Sequence, residues 1–238
     1  MRRGLVGDFK IGEAVRPLFT RNASGEWAFS GTGFFVEHDG KPILVTANHV
    51  AFDEPVWICS DPPGTGQFVL EEIMAPTKRL GSNPGTDVAA YDPLEFAPTV
   101  TLQLCSVSPP GNYSVGSYEY SRLMIDPHRA IFNLGQSTRI GNVVRRVNDD
   151  RFPGESLELS YPALKGASGA PVVVLEGPEK HKVAGFLKAN VQYELLPAQT
   201  YMYKDESGGV EEKTHYYLPV GLAVNAKWVI KLLQELRN

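Results

Sequence analysis

The chain has 238 residues, of which 42% are hydrophobic, enough for a substantial core and too many for a disordered polymer. Its 23 Lys and Arg against 27 Asp and Glu leave a formal net charge of −4, and the basic residues are scattered, which argues against a general nucleic-acid partner. No apolar run is long enough to span a bilayer, and Met1-Arg2-Arg3 has no apolar stretch behind it of the kind a secretory signal needs.

The pattern is β almost to the end, and 23 glycines with 18 prolines suit many short strands joined by turns. Gly31 to Val36 and Ile43 to Thr46 flank a turn containing Asp39-Gly40, a strong hairpin signal. Further strands are predicted at Val56 to Ser60, Gln67 to Met74, Val88 to Tyr91 and Val100 to Cys105. Ser106 to Asn112 follows with Pro109-Pro110-Gly111, which cannot continue a central strand and marks a boundary. Beyond it, strands are predicted at Tyr113 to Met124, Arg129 to Leu134, Gly141 to Val147, Leu157 to Tyr161, Pro171 to Leu175, Val183 to Gln192 and Tyr216 to Val220. Tyr193 to Thr214 reads as a long exposed hairpin or loop. Asn225 is a cap residue for a terminal helix whose apolar face, with Trp228, Leu232 and Leu236, is expected to pack back on the second half. The expected organisation is all-β, with two six-stranded-type barrels over 13–105 and 113–224 and a helix over 225–237.

Cys59 and Cys105 both sit in apolar, strand-like surroundings and read as buried free thiols, although one disulfide stays open. This sparse cysteine usage points to a reducing compartment, and the expected location is cytoplasmic.

Three segments carry chemistry. His49 closes the run Pro42 to Val50, Asp87 opens Thr86-Asp87-Val88-Ala89, and Ser168 lies in Gly166-Ala167-Ser168-Gly169-Ala170-Pro171. A serine hydroxyl needs a base within hydrogen-bond reach, and the base needs a carboxylate to orient it. The order His, Asp, Ser is one of the three in which such sets occur. The Gly166 and Ser168 amides are the candidate oxyanion hole.

Other constellations fail. Ala170 replaces the last glycine of a nucleophile elbow, and Gly64-Thr65-Gly66 lacks the lysine of a phosphate loop. His38, His128, His181 and His215 have no metal-ligand spacing, so no metal and no cofactor are expected.

On these three segments, in order at separations of 38 and 81 residues, the chain resembles the trypsin/chymotrypsin-fold serine peptidases, and more closely the bacterial Deg-type peptidases. Gly31-Thr32-Gly33-Phe34, Val183 to Leu187 and Gly221 to Val224 extend the likeness over residues 25 to 237. The resemblance implies a chymotrypsin-like double barrel and a serine endopeptidase acting on a protein or peptide substrate. It implies substrate contacts from Pro162, Ala163 and Lys165 and from the strand Phe186, Leu187, Lys188, Ala189 and Asn190. Departures matter: Ala167 replaces the acidic residue that pairs with a freed N-terminus, and neither Pro162 nor Ala163 is acidic, so a small or apolar side chain is expected at the scissile bond, with an acidic one left open by Lys165 and Lys188. No PDZ domain is recognised after the barrels. The alternative is a catalytically silent or partner-activated peptide-binding module, and the oligomeric state stays open.

Overall fold

The computed structural model describes residues 11–21, 24–51, 55–60, 74–121, 124–126, 131–133, 135–149, 152–194, 200–203, 210–213 and 217–237. In the first half the strands are β1 (Val15–Arg21), β2 (Trp27–His38), β3 (Lys41–Ala47), β4 (Trp57–Cys59), β5 (Met74–Pro76), β6 (Lys78–Asn83) and β7 (Val88–Asp92), with one helical turn, α1 (Asn48–Ala51). They form one antiparallel seven-stranded sheet in the order β5-β4-β1-β2-β3-β7-β6. The second half holds β8 (Ser114–Tyr120), β9 (Met124–Asp126), β10 (Ile131–Asn133), β11 (Gln136–Asp149), β12 (Phe152–Leu159), β13 (Pro171–Val174), β14 (Val183–Glu194), β15 (Thr200–Tyr203), β16 (Val210–Lys213), β17 (Tyr217–Asn225) and α2 (Ala226–Glu235). Six of these strands close a barrel, β11-β12-β17-β14-β13-β8. The architecture is that of a double β-barrel with a C-terminal helix.

The Asp39-Gly40 turn takes positive φ at both residues (52° and 73°), the backbone twist that a tight hairpin between β2 and β3 requires. Strands β1, Trp27 to Ser30 and β6 escaped the pattern reading, because Pro17, Gly81 and a bulge at Leu18/Phe19 interrupt their alternation. Most of the predicted Gln67 to Met74 strand and part of Arg129 to Leu134 lie outside the described residues. Val100 to Cys105 is not a ladder strand. It is an extended connector that makes two isolated bridges, Val36 with Leu102 and Leu104 with Val183, and so stitches the halves together.

One core cluster fills the first sheet with Phe19, Phe34, Phe35 and Val45 and continues across the divide to Phe186 and Val224. Phe34 and Phe186 meet at a ring separation of 6.3 Å. A second cluster, with Val115, Leu157, Leu159, Val172 and Leu187, fills the closed barrel. The joint between the halves is therefore built on close-packed apolar side chains, which hold the two halves in fixed register.

The helix corrects one expectation. Asn225 caps it as expected, accepting the Lys227 N–H at 3.1 Å. Its apolar residues Val229, Leu232 and Leu233, however, enter the core cluster that spans both halves, and Leu236 covers Gly81 on the first sheet. Trp228 Nε1 donates to Glu155 O on β12 at 3.1 Å, so α2 straps the two halves rather than folding back on the second. Among the described residues no helix is long and apolar enough to cross a membrane.

Candidate active site

The first half delivers two of the three chemical groups. Strand β3 is buried from Ile43 to Ala47 and runs straight into α1, which lifts His49 out of the sheet. Beside it, Ala47 pairs with Val88 at the start of β7, so the residue before β7 lies next to the start of α1. That residue is Asp87, in a left-handed conformation (φ 59°) after a turn in which Thr86 N–H donates to Asn83 O. The short polar side chain of aspartate tolerates this conformation, and such backbone strain clusters at functional sites. One Asp87 carboxylate oxygen accepts the His49 backbone N–H at 3.0 Å, and the other meets His49 Nδ1 at 2.8 Å. Asn48 N–H adds a bond to Asp87 O at 3.0 Å, and Arg79 donates to Asn48 Oδ1 at 2.6 Å. A carboxylate on Nδ1 assigns the proton to that nitrogen and leaves the Nε2 lone pair free to accept one. Asp92, the last residue of β7, does not face the imidazole in this way: its carboxylate accepts Leu94 N–H at 2.8 Å in the turn that follows the strand.

The second half contributes Ser168 on a loop held by its backbone. Ser168 O accepts Thr32 N–H at 2.8 Å, Gly169 N–H donates to Leu187 O at 2.7 Å, Ala170 N–H to Ala167 O at 2.9 Å and Ala167 N–H to Leu164 O at 3.0 Å. Gly166 and Gly169 have φ of 92° and 85°. A Cβ on Gly169 would overlap Thr32 O and Thr46 Oγ1, and one on Gly166 would overlap the Phe29 ring. Glycine is required at both positions by conformation and by space. Gly31 is the matching contact on β2: a Cβ there would lie 2.9 Å from Ser168 O and 2.8 Å from the Val50 side chain. The serine loop and the His49 turn therefore meet across Gly31. Among the described residues the Gly166 and Ser168 amides donate to no backbone acceptor, and no hydrogen bond joins Ser168 Oγ to His49 Nε2.

The expected substrate-contact residues divide. Pro162, Ala163 and Ala189 are half-buried, and Lys165 and Asn190 are exposed. Phe186 and Leu187 put their side chains into the two cores, so a substrate would meet only their backbone. Lys188 sits at a β-bulge in β14 and is 5% exposed, so its ammonium does not stand free in solvent. Asn190 reaches across from β14 and pairs twice with Ala163, accepting its N–H at 2.7 Å and donating to its C=O at 2.7 Å. From β17, Gly221 N–H donates to Tyr161 O at 2.7 Å, and a Cβ on Gly221 would lie 2.6 Å from that oxygen and 3.4 Å from Ala163 N.

Two residues of the site were missed in the sequence: Thr32, wholly buried between the halves, and Thr46, whose hydroxyl donates to Thr32 O at 2.7 Å. Their only signal was placement, Thr32 between two glycines and Thr46 three residues before His49. Burial holds the Tyr120 phenol, beside the serine loop, well above its usual range, so it stays neutral. Among the described residues no cluster of His, Cys, Asp or Glu is suited to a metal ion.

The sequence signature of the family described as "trypsin-like peptidase domain" matches residues 31–178. No curated protein matches the chain. Among solved structures, the HtrA-type protease AlgW with decapeptide superposes with a TM-score of 0.62 at 14% identity over 97% of this chain and 66% of that one. The serine endoprotease from Yersinia pestis gives 0.59 at 15% identity, covering 97% and 65%. The inactive form of Rv3671c from M. tuberculosis H37Rv gives 0.58 at 13% identity, covering 98% and 91%. The chain thus spans just under two thirds of the length of the first two of these structures.

Proposed function

This chain belongs to the trypsin-like peptidase domain family, and on that premise we propose that it is a serine endopeptidase working through an acyl-enzyme. Ser168 Oγ attacks the scissile carbonyl carbon while His49 Nε2 takes its proton. Asp87 holds the imidazole by Nδ1 and offsets the charge it gains, and the Gly166 and Ser168 N–H groups hold the oxyanion. His49 then gives the proton to the departing amine as the C–N bond breaks. Water, deprotonated by His49, attacks the ester and frees Ser168. The observation that carries this reading is the 2.8 Å contact of Asp87 with His49 Nδ1, on a turn that meets the Ser168 loop across Gly31.

The substrate reading is a peptide with a small side chain at the scissile bond. Two features support it: the Asn190 amide spans the slot between β14 and the 162–166 loop, and Gly221 backs Ala163 directly. A slot crossed by that bridge favours a small side chain over a large one. A cytoplasmic, reducing location belongs to the same reading and is supported by two buried free thiols, Cys59 and Cys105.

A second reading, a module that needs a partner to become competent, is favoured by one observation: Ser168 Oγ and His49 Nε2 are not hydrogen-bonded, although resting sites often tighten only with substrate. The test of both is labelling with a fluorophosphonate serine-hydrolase probe beside Ser168→Ala and His49→Ala. The endopeptidase reading expects the wild type alone to label. A folded wild type that stays unlabelled rejects it and favours the partner-activated module.

A further inference from the structure

Thr32 is not one of the groups that would touch a substrate, yet every polar atom it has is committed to the site. We propose that Thr32 is a positioning residue that locks the nucleophile loop in register with β3, the strand that leads into the turn bearing His49. The proposal rests on the reading of His49, Asp87 and Ser168 as a triad.

The residue is fully buried on β2, at the divide between the two halves. Its backbone N–H donates to Ser168 O at 2.8 Å. Its hydroxyl donates to Gly166 O at 3.0 Å, with Tyr120 O as a weaker alternative at 3.4 Å, and accepts Tyr120 N–H at 3.1 Å. Its carbonyl accepts the Thr46 hydroxyl at 2.7 Å, three residues before His49 on β3. A threonine hydroxyl has one proton to give, and here it goes to the loop that must present two amides to one oxyanion.

The geometry explains why that bond matters. The peptide group joining Gly166 to Ala167 is held at both ends, its C=O by Thr32 and its N–H by Leu164 O. The group joining Ser168 to Gly169 is also held at both ends, its C=O by Thr32 N–H and its N–H by Leu187 O. The two candidate oxyanion donors, Gly166 N–H and Ser168 N–H, lie between and beside these clamped groups. Their spacing therefore follows from where Thr32 stands. Thr32 in turn is tied through Thr46 to β3, which runs into the turn that carries His49. Nucleophile, oxyanion donors and base are thus referred to one buried residue, and rate is sensitive to displacements of about an ångström at such groups.

A threonine that merely fills space and satisfies Tyr120 would affect stability and all ligand interactions alike. The discriminating variants are Thr32→Val, which keeps shape and backbone and deletes the hydroxyl, and Thr32→Ser, which restores it. Three quantities are measured: the second-order rate of fluorophosphonate labelling, the thermal midpoint, and the affinity for fluorescein-casein in a Ser168→Ala background. The expected result is a fall of about 10- to 100-fold in labelling for Thr32→Val, below the 10²- to 10³-fold of deleting an oxyanion donor outright. Recovery to within about threefold of wild type is expected for Thr32→Ser, with casein affinity unchanged. If Thr32→Val fails to fold, Thr46→Val, which cuts the link on the other side, takes its place with a smaller loss in the same direction. Wild-type labelling in folded Thr32→Val, equal losses of labelling and casein affinity, or failure of serine to rescue would each overturn the proposal while leaving the triad reading standing. A folded wild type that does not label defeats the triad reading itself, and this proposal with it.

Discussion

The two halves build their contributions to the candidate site in opposite ways. In the first half, side chains do the positioning: Asp87 grips both the ring and the backbone of His49, and Arg79 braces Asn48. In the second half, the backbone does it: three amides of the 164–170 loop donate to fixed carbonyls, and Ser168 O is held by Thr32 N–H from the opposite half. A base needs a defined tautomer, which only a hydrogen-bonding partner at Nδ1 can impose. An oxyanion site needs amide dipoles at fixed spacing, which a clamped loop supplies with little reorganisation. The difference predicts that the first half is broken by removing charge and the second by adding atoms.

The largest effect is expected from the side-chain half. Asp87→Asn keeps the size and the bond to His49 N–H but offers its amide to the wrong tautomer, so peptidase turnover should fall about 10⁴-fold with little change in the unfolding midpoint. Turnover near the wild-type rate in a folded Asp87→Asn protein would break the comparison. The backbone half should instead lose its fold. Gly169→Ala places a methyl against Thr32 O and Thr46 Oγ1 at a φ of 85°, and the combined clash and strain should cost about 3–5 kcal/mol in urea unfolding.

Specificity gives the next effect. Asn190→Ala removes the bridge to Ala163, so the ratio of kcat/KM for a large over a small residue at the scissile bond should rise about tenfold, measured with a paired peptide series. An unchanged ratio would mean that Gly221 and Tyr161 alone set the depth.

The two smallest effects depend on pH. Burial pushes the Cys105 thiol up to about 12. Because its folded value lies above the ordinary one, the protonated thiol favours the fold fully below the unfolded pKa, and that contribution is lost as pH rises through the folded value. Cys105 should therefore resist iodoacetamide at pH 9 in native protein and react on unfolding, as mass spectrometry would report. At the other extreme, the Arg237 guanidinium holds the Asp39 carboxyl below its usual range at the far end of α2. A depressed acid stabilises above its unfolded pKa and loses that support as pH falls through the folded value. Arg237→Ala should move the midpoint barely at pH 7 and not at all near pH 2, since an exposed pair is screened by water.

Much of the candidate site was legible because its signals are local. The apolar run ending at His49, the turn before Asp87, the glycines around Ser168, the Asp39-Gly40 hairpin and the Asn225 cap each depend on a few neighbouring residues. Their conformational demands act within the segment itself, so the amino-acid order alone determined the strand-rich class, the His, Asp, Ser order and the helix start. Tertiary packing decided the rest. Thr32 meets Tyr120 and Gly166 across separations of 88 and 134 residues, and Asn190 meets Ala163 across 27. The helix, amphipathic in sequence, could have covered either half, and it settled across both, with Leu236 over Gly81 and Trp228 bonded to Glu155. Phe186 and Leu187, neighbours on one strand, face different cores because the pleat sends successive side chains to opposite faces. Which residue opposes which across the divide follows from how two separately encoded sheets pack, and no local pattern in the chain specifies that.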